Sequence, residues 1–173
     1  MDKLDDLYRD IVLDHSTSPR GTQAIERVDA SASLFNPACG DRVQLSVQFE
    51  NGTVSHIQCV SKACSICTAS GSILAEAIPQ LPTSKARDHI EAIKSMIRER
   101  TVPAVLQDTD AASLAGVAEF PNRVRCALLP WTALEQALSS VSFRAEQSGV
   151  EKSLKDSHEI SPPSLNKVRE ESK

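Results

Sequence analysis

The stretch Val43-Gln44-Leu45-Ser46-Val47-Gln48-Phe49-Glu50-Asn51-Gly52 decides the fold. Val43, Leu45, Val47 and Phe49 alternate with Gln44, Ser46 and Gln48. That period of two belongs to a strand with one face on a core and the other in water. Asn51-Gly52 follows, and such a pair accepts the positive φ angles that a tight hairpin turn requires. Thr53–Val60 is therefore predicted to return as the antiparallel partner, with Ile57 and Cys59 on one face. Residues Ala30–Phe35 form a third, weaker strand candidate.

Outside this hairpin the periodicity changes to that of helices. Leu4, Leu7, Tyr8, Ile11 and Val12 recur at helical spacing, which predicts an amphipathic helix of about three turns ending near His15. Ser16–Gly21 reads as a loop. Ser65–Ile78 is small and helix-compatible, and Pro79 and Pro82 end it. Thr83 is the expected cap of the next helix, whose core stripe is Ala86, Ile90, Ile93 and Ile97. Glu99–Asp110 reads as a loop and Ala111–Ala118 as a short helix that Phe120-Pro121 breaks. A last helix is expected over Cys126–Ser139, with Trp131, Leu134 and Leu138 on one side and Pro130 near its first turn. From about Ala145 the chain turns to Glu, Lys and Ser around Pro162-Pro163. Residues 1–144 thus read as one domain and 145–173 as a polar, disordered tail. Helix, small antiparallel sheet of about three strands, then helices is an α+β order.

Composition narrows the function. The chain has 173 residues, 40% hydrophobic and 24% charged, enough for one core. Nineteen Lys and Arg stand against 23 Asp and Glu, a formal net charge of −4. That is not the electrostatic footprint of a nucleic-acid binder. No apolar run approaches the about 20 residues of a membrane span. The opening Met1-Asp2-Lys3-Leu4-Asp5-Asp6 is acidic and lacks the apolar core of a secretory signal, so the expected compartment is the reducing cytoplasm. Five cysteines cannot all pair within one chain, and in that compartment such thiols serve as metal ligands or nucleophiles.

Three segments carry four of these thiols, and Cys59 lies on the predicted returning strand. In Asn36-Pro37-Ala38-Cys39-Gly40-Asp41-Arg42, Cys39 and Asp41 lie two apart across a glycine. A thiolate and a carboxylate aimed at one point repel unless a cation lies between them, so the pair is half of a metal site; the alternative is a plain turn before a strand. In Lys62-Ala63-Cys64-Ser65-Ile66-Cys67, Cys64 opens a helix, where the dipole favours thiolate. The spacing to Cys67 also matches a redox dithiol, but no second such pair completes an all-cysteine zinc site. Cys67 reads as core or as support behind the ligands, and Cys59 as a small buried hydrophobe. In Pro121-Asn122-Arg123-Val124-Arg125-Cys126-Ala127, Cys126 lies beside two arginines that stabilise an anion. Together Cys39, Asp41, Cys64 and Cys126 offer three sulfurs and one oxygen from element boundaries, a set suited to Zn²⁺ or an iron–sulfur unit. The four histidines, His15, His56, His89 and His158, read as structural or surface residues.

These motifs resemble the SufU/IscU family of iron–sulfur cluster assembly proteins. The likeness lies in Leu7-Tyr8 with Asp14-His15 and Pro19-Arg20, in Asn36-Pro37-Ala38-Cys39-Gly40-Asp41, in Ala63-Cys64-Ser65-Ile66, and in Phe120–Leu129 followed by Trp131 and Ala133-Leu134. It covers about residues 4–140. Arg125, where IscU-type chains carry histidine, and the segment Glu99–Glu119 resemble the SufU branch. The resemblance implies a zinc site of Cys39, Asp41, Cys64 and Cys126. It implies a pyridoxal-phosphate-dependent, SufS-like cysteine desulfurase that presents a persulfide. It also implies catalytic roles for Cys39, freed to attack that persulfide, for its neighbour Cys126, and for Arg123, which steers the anion. Three functions follow for testing: a zinc-dependent sulfurtransferase, a scaffold on which a transient iron–sulfur cluster is built for apo-proteins, and a structural zinc module that only binds partners.

Overall fold

The computed structural model describes the backbone of residues 3–156 and the side chains of residues 8–141. The order is α1 (Lys3–Thr17), β1 (Ala30–Asn36), β2 (Asp41–Glu50), β3 (Thr53–Lys62), α2 (Ser65–Ala77), α3 (Thr83–Glu99), 3-10 turns over Ala104–Leu106 and Asp110–Glu119, and α4 (Pro121–Asp156). The α+β architecture and three-stranded antiparallel sheet are as expected, in the order β1-β2-β3.

Register explains the sheet's core face. Val43, Leu45 and Val47 lie opposite Leu34, Ala32 and Ala30 on β1, and Leu45 and Val47 lie opposite Cys59 and Ile57 on β3. A bulge between Gln48 and Phe49 shifts the register before the Asn51-Gly52 turn. Both turn residues have positive φ. Against this face pack α2 and α3. The stripe Ala86, Ile90, Ile93 and Ile97 is buried as its spacing requires, with Met96 beside it.

Three helix boundaries differ from expectation. α3 starts at Thr83, but its cap position is Pro82 and no side chain caps it. Glu99–Asp110 is not wholly loop, because Ala104–Leu106 makes one turn that buries Leu106. The last helix begins at Pro121 rather than Cys126. Pro121 is its first residue, where a missing N–H costs nothing, and Pro130 therefore lies inside the helix rather than in its first turn. The polar run Asn122–Arg125 hid this turn, because those positions face largely outward. The compact unit ends at Val141. The helix continues to Asp156, into the segment read as tail, and 157–173, with His158, lie outside the described residues.

Small residues let α2 lie buried on every side. Ala69, Ser70, Gly71 and Ser72 are all within the core. Ser70 Oγ donates to the Ala127 carbonyl at 2.6 Å and accepts from Trp131 Nε1 at 2.9 Å. Trp131 is fully buried, so its indole N–H needs this partner. Pro130 packs over Gly71 in the same seam.

Candidate metal centre

The β1–β2 turn builds the first half of the site. Asn36 pairs with Asp41 across it, and the Asn36 carbonyl accepts from Gly40 N–H at 2.9 Å and from Cys39 N–H at 3.4 Å. Gly40 takes φ +73°, which places Cys39 and Asp41 on either side of a left-handed residue. β3 runs antiparallel to β2 and ends at Lys62 opposite Arg42, so Cys64, two residues on, arrives beside Asp41. The Cys64 backbone N–H donates to Asp41 Oδ1 at 2.7 Å. Asp41 thereby satisfies an amide at the start of α2, at the positive end of the helix dipole. Cys64 Sγ lies 3.6 Å from Asp41 Oδ2.

α4 delivers the rest. Cys126, in its second turn, places Sγ 3.1 Å from Cys39 Sγ. The ligand atoms of Cys39, Asp41 and Cys126 all lie within 4.8 Å of one another. All five cysteines are free thiols. The three segments named from sequence therefore converge; Cys64 lies outside that group of three and adjoins it through Asp41. Arg123 is exposed and directs Nη1 to Cys39 Sγ at 3.7 Å. The sulfurs of Cys64, Cys39 and Cys126 hold its guanidinium even more firmly charged than usual.

The donor set fits a tetrahedral dication. With Zn–S near 2.3 Å and Zn–O near 2.0–2.2 Å, ligand-to-ligand edges of about 3.5–3.8 Å follow. The Cys64–Asp41 edge has that length, whereas the Cys39–Cys126 edge, at 3.1 Å, is shorter, so those two sulfurs would have to part to take an ion. Without a cation these groups crowd one another. Burial, then hydrogen bonds with Asp41, Cys39 and Cys64, push the Cys126 thiol well above its ordinary range. A metal ion relieves that crowding by replacing a shared proton.

Cys59 and Cys67 stand apart in character. Burial alone pushes the Cys59 thiol up to about 12. Cys67 is fully buried and is raised further by desolvation, then by Asp41 and Cys64. Both are poor nucleophiles where they lie. His56 is exposed on β3, and His89 donates from Nδ1 to the Lys85 carbonyl at 3.0 Å.

Sequence reasoning passed over the contacts of two residues. Asn36 lies in the quoted motif yet reads only as part of a turn; it is buried against Cys126. His15, in the last turn of α1, takes the structural of the two readings that its sequence allowed. It is 1% exposed, with Nδ1 at 2.7 Å from Ser72 Oγ and Nε2 at 3.0 Å from Asp110 Oδ2. Glu76 Oε2 lies 3.9 Å from Nε2. Ser72 Oγ also accepts the Arg20 backbone N–H at 2.8 Å, and Arg20 pairs with Asp14 at 2.6 Å. This network ties α1, the loop after it, α2 and the segment Asp110–Glu119 together. The Pro19-Arg20 that follows the helix was the available signal.

Known proteins share this chain's sequence profile and fold. The profile of the NifU-like N terminal domain matches residues 7–147. An iron–sulfur cluster assembly scaffold protein IscU of Streptococcus pyogenes serotype M1 is 34% identical over 138 residues, 80% of this chain and 86% of that protein. The zinc-dependent sulfurtransferase SufU of Bacillus subtilis is 30% identical over 136 residues, 79% of this chain and 92% of that protein. Among solved structures, a putative iron–sulfur cluster assembly scaffold protein for the SUF system from Fervidobacterium islandicum superposes with a TM-score of 0.69 at 26% identity, covering 74% of this chain and 93% of that one. No helix among the described residues is long and apolar enough to cross a membrane. On the sequence profile, the relatives and the shared fold, the chain belongs to the NifU-like N-terminal domain family, together with its IscU and SufU relatives.

Proposed function

We propose that this protein accepts sulfur from a pyridoxal-phosphate-dependent cysteine desulfurase of SufS type and hands it on in iron–sulfur cluster assembly. Cys39, Asp41, Cys64 and Cys126 are the residues that would hold zinc. Zinc bound there keeps thiolates deprotonated at neutral pH without itself changing redox state.

One observation carries the reading: the ligands are unequal. Cys126 is fully buried, whereas Cys39 sits half-buried on a glycine turn at the surface with Arg123 facing its sulfur. Cys64 is half-buried as well, but Arg123 faces the sulfur of Cys39, which marks Cys39 as the one a donor engages. Cys39 thiolate attacks the outer sulfur of the donor persulfide. A new S–S bond forms, the donor's S–S bond breaks, and the donor leaves as a thiolate. The transferred sulfur keeps its proton, and no net oxidation occurs. Arg123 stabilises the negative charge while Cys39 is unbound.

The test is desulfurase turnover with and without the zinc-loaded protein. Turnover is expected to rise several-fold, with a sulfur adduct found on Cys39 by mass spectrometry. Cys39→Ala and Cys126→Ala variants that stimulate fully would remove the proposal.

The scaffold is the second reading, favoured by the IscU relative at 34% identity and by a donor set that also suits an iron–sulfur unit. Anaerobic reconstitution separates the two. A stable visible-absorbing cluster that passes intact to an apo-ferredoxin supports the scaffold.

A further inference from the structure

Asn36 ends β1 and is 4% exposed. Its carboxamide is not a metal donor, yet it meets one. The Ala38 backbone N–H donates to Asn36 Oδ1 at 3.2 Å. A backbone amide only donates, so this bond fixes which end of the carboxamide is oxygen. The NH₂ end is thereby turned to α4, and Nδ2 donates to Cys126 Sγ at 3.5 Å. The two sulfurs that lie 3.1 Å apart thus have different surroundings. Cys126 is enclosed and holds a buried amide donor. Cys39 faces an exposed guanidinium.

An N–H···S bond draws electron density from a thiolate, stabilising it and blunting its attack. If Cys126 swung out of the site to meet a donor, a buried anion and a buried amide would both lose their partners. If Cys39 left, water and Arg123 would receive it. We infer that Asn36 is a positioning residue of the sulfur-accepting site: its amide keeps Cys126 among the ligands, which leaves release to the half-buried sulfurs, of which Cys39 is the one that Arg123 faces. The inference rests on the sulfurtransferase reading for its consequence, though not for the bond itself.

Wild-type protein loaded with cadmium-113 in place of zinc tests the bond without any variant. The Asn36 side-chain amide protons are expected to couple to the metal through Cys126 Sγ, and an amide with no coupling overturns the inference. Asn36→Asp retains Oδ1 for the Ala38 amide and deletes the donor, while Asn36→Ala deletes it without adding charge. In both variants, loaded with zinc and incubated with desulfurase and cysteine, the persulfide is expected to divide between Cys39 and Cys126 instead of residing on Cys39. Their cobalt-loaded forms are expected to move the thiolate-to-cobalt absorption to longer wavelength. Folded variants with an unmoved band and persulfide on Cys39 alone overturn the inference. If wild type itself gains no persulfide, the sulfurtransferase reading falls, and the cadmium coupling and cobalt band still decide the role of Asn36.

Discussion

Gly40 has open space where a side chain would begin, so its constraint is the backbone alone. At φ +73° an L residue is strained by about 1–2 kcal/mol. Gly40→Ala is expected to lower stability by that amount in urea titration and to weaken zinc binding, because relaxing the turn parts Cys39 from Asp41. The raised Cys126 thiol has a further consequence. A thiol whose pKa lies above its ordinary value stays protonated at pH 7 when no metal is present. Zinc uptake must expel that proton, so affinity is expected to fall as pH falls. Calorimetry in buffers of different ionisation enthalpy should register at least one proton released per zinc. Cys39, Asp41, Cys64 and Cys126 were singled out as candidates from sequence because a thiol or carboxylate at an element boundary is placed to converge with others. Asn36 and His15 were not. Their roles exist only in contacts with residues far along the chain, at Cys126, Ser72 and Asp110.

At the scale of elements, β2 and its hairpin were readable because alternation is strong where one face is buried. β1 was faint because Ala30, Ser31, Ala32 and Ser33 give little contrast. The start of α4 was hidden for a related reason: its first turn faces outward, and its apolar face begins only at Cys126. The seam between α2 and β3 is tight. A Cβ added at Gly71 would lie 2.8 Å from Cys59 Sγ. Gly71→Ala is expected to destabilise by about 1–3 kcal/mol through overpacking. Cys59→Ala should recover part of that loss in the double variant, a coupling that denaturation of all four proteins measures. Additive effects would show that the strain lies elsewhere, at Pro130.

For the molecule as a whole, the class was legible because the core is aliphatic and its periods switch from 3.6 to two and back to 3.6. Leu45, Ile73, Ile90, Met96, Trp131 and Leu134 are fully buried without reference to a metal. Among the described residues no buried side-chain nitrogen or oxygen lacks a partner. Stripping zinc with a strong chelator is therefore expected to lower the melting temperature while leaving the far-ultraviolet circular dichroism intact; wholesale unfolding would favour a purely structural zinc module. His15→Ala removes the imidazole partner of the buried Ser72 hydroxyl and loosens four segments at once. A loss of about 1–3 kcal/mol is expected by thermal or urea denaturation, with zinc stoichiometry unchanged. Asp41, finally, has one of its two oxygens committed to the Cys64 amide at 2.7 Å. The other, Oδ2, is the oxygen near Cys64 Sγ and the freer of the two to meet an ion. A metal held by this set would be gripped chiefly by sulfur, with that oxygen as the contact at which one ion could be traded for another without dismantling the start of the helix.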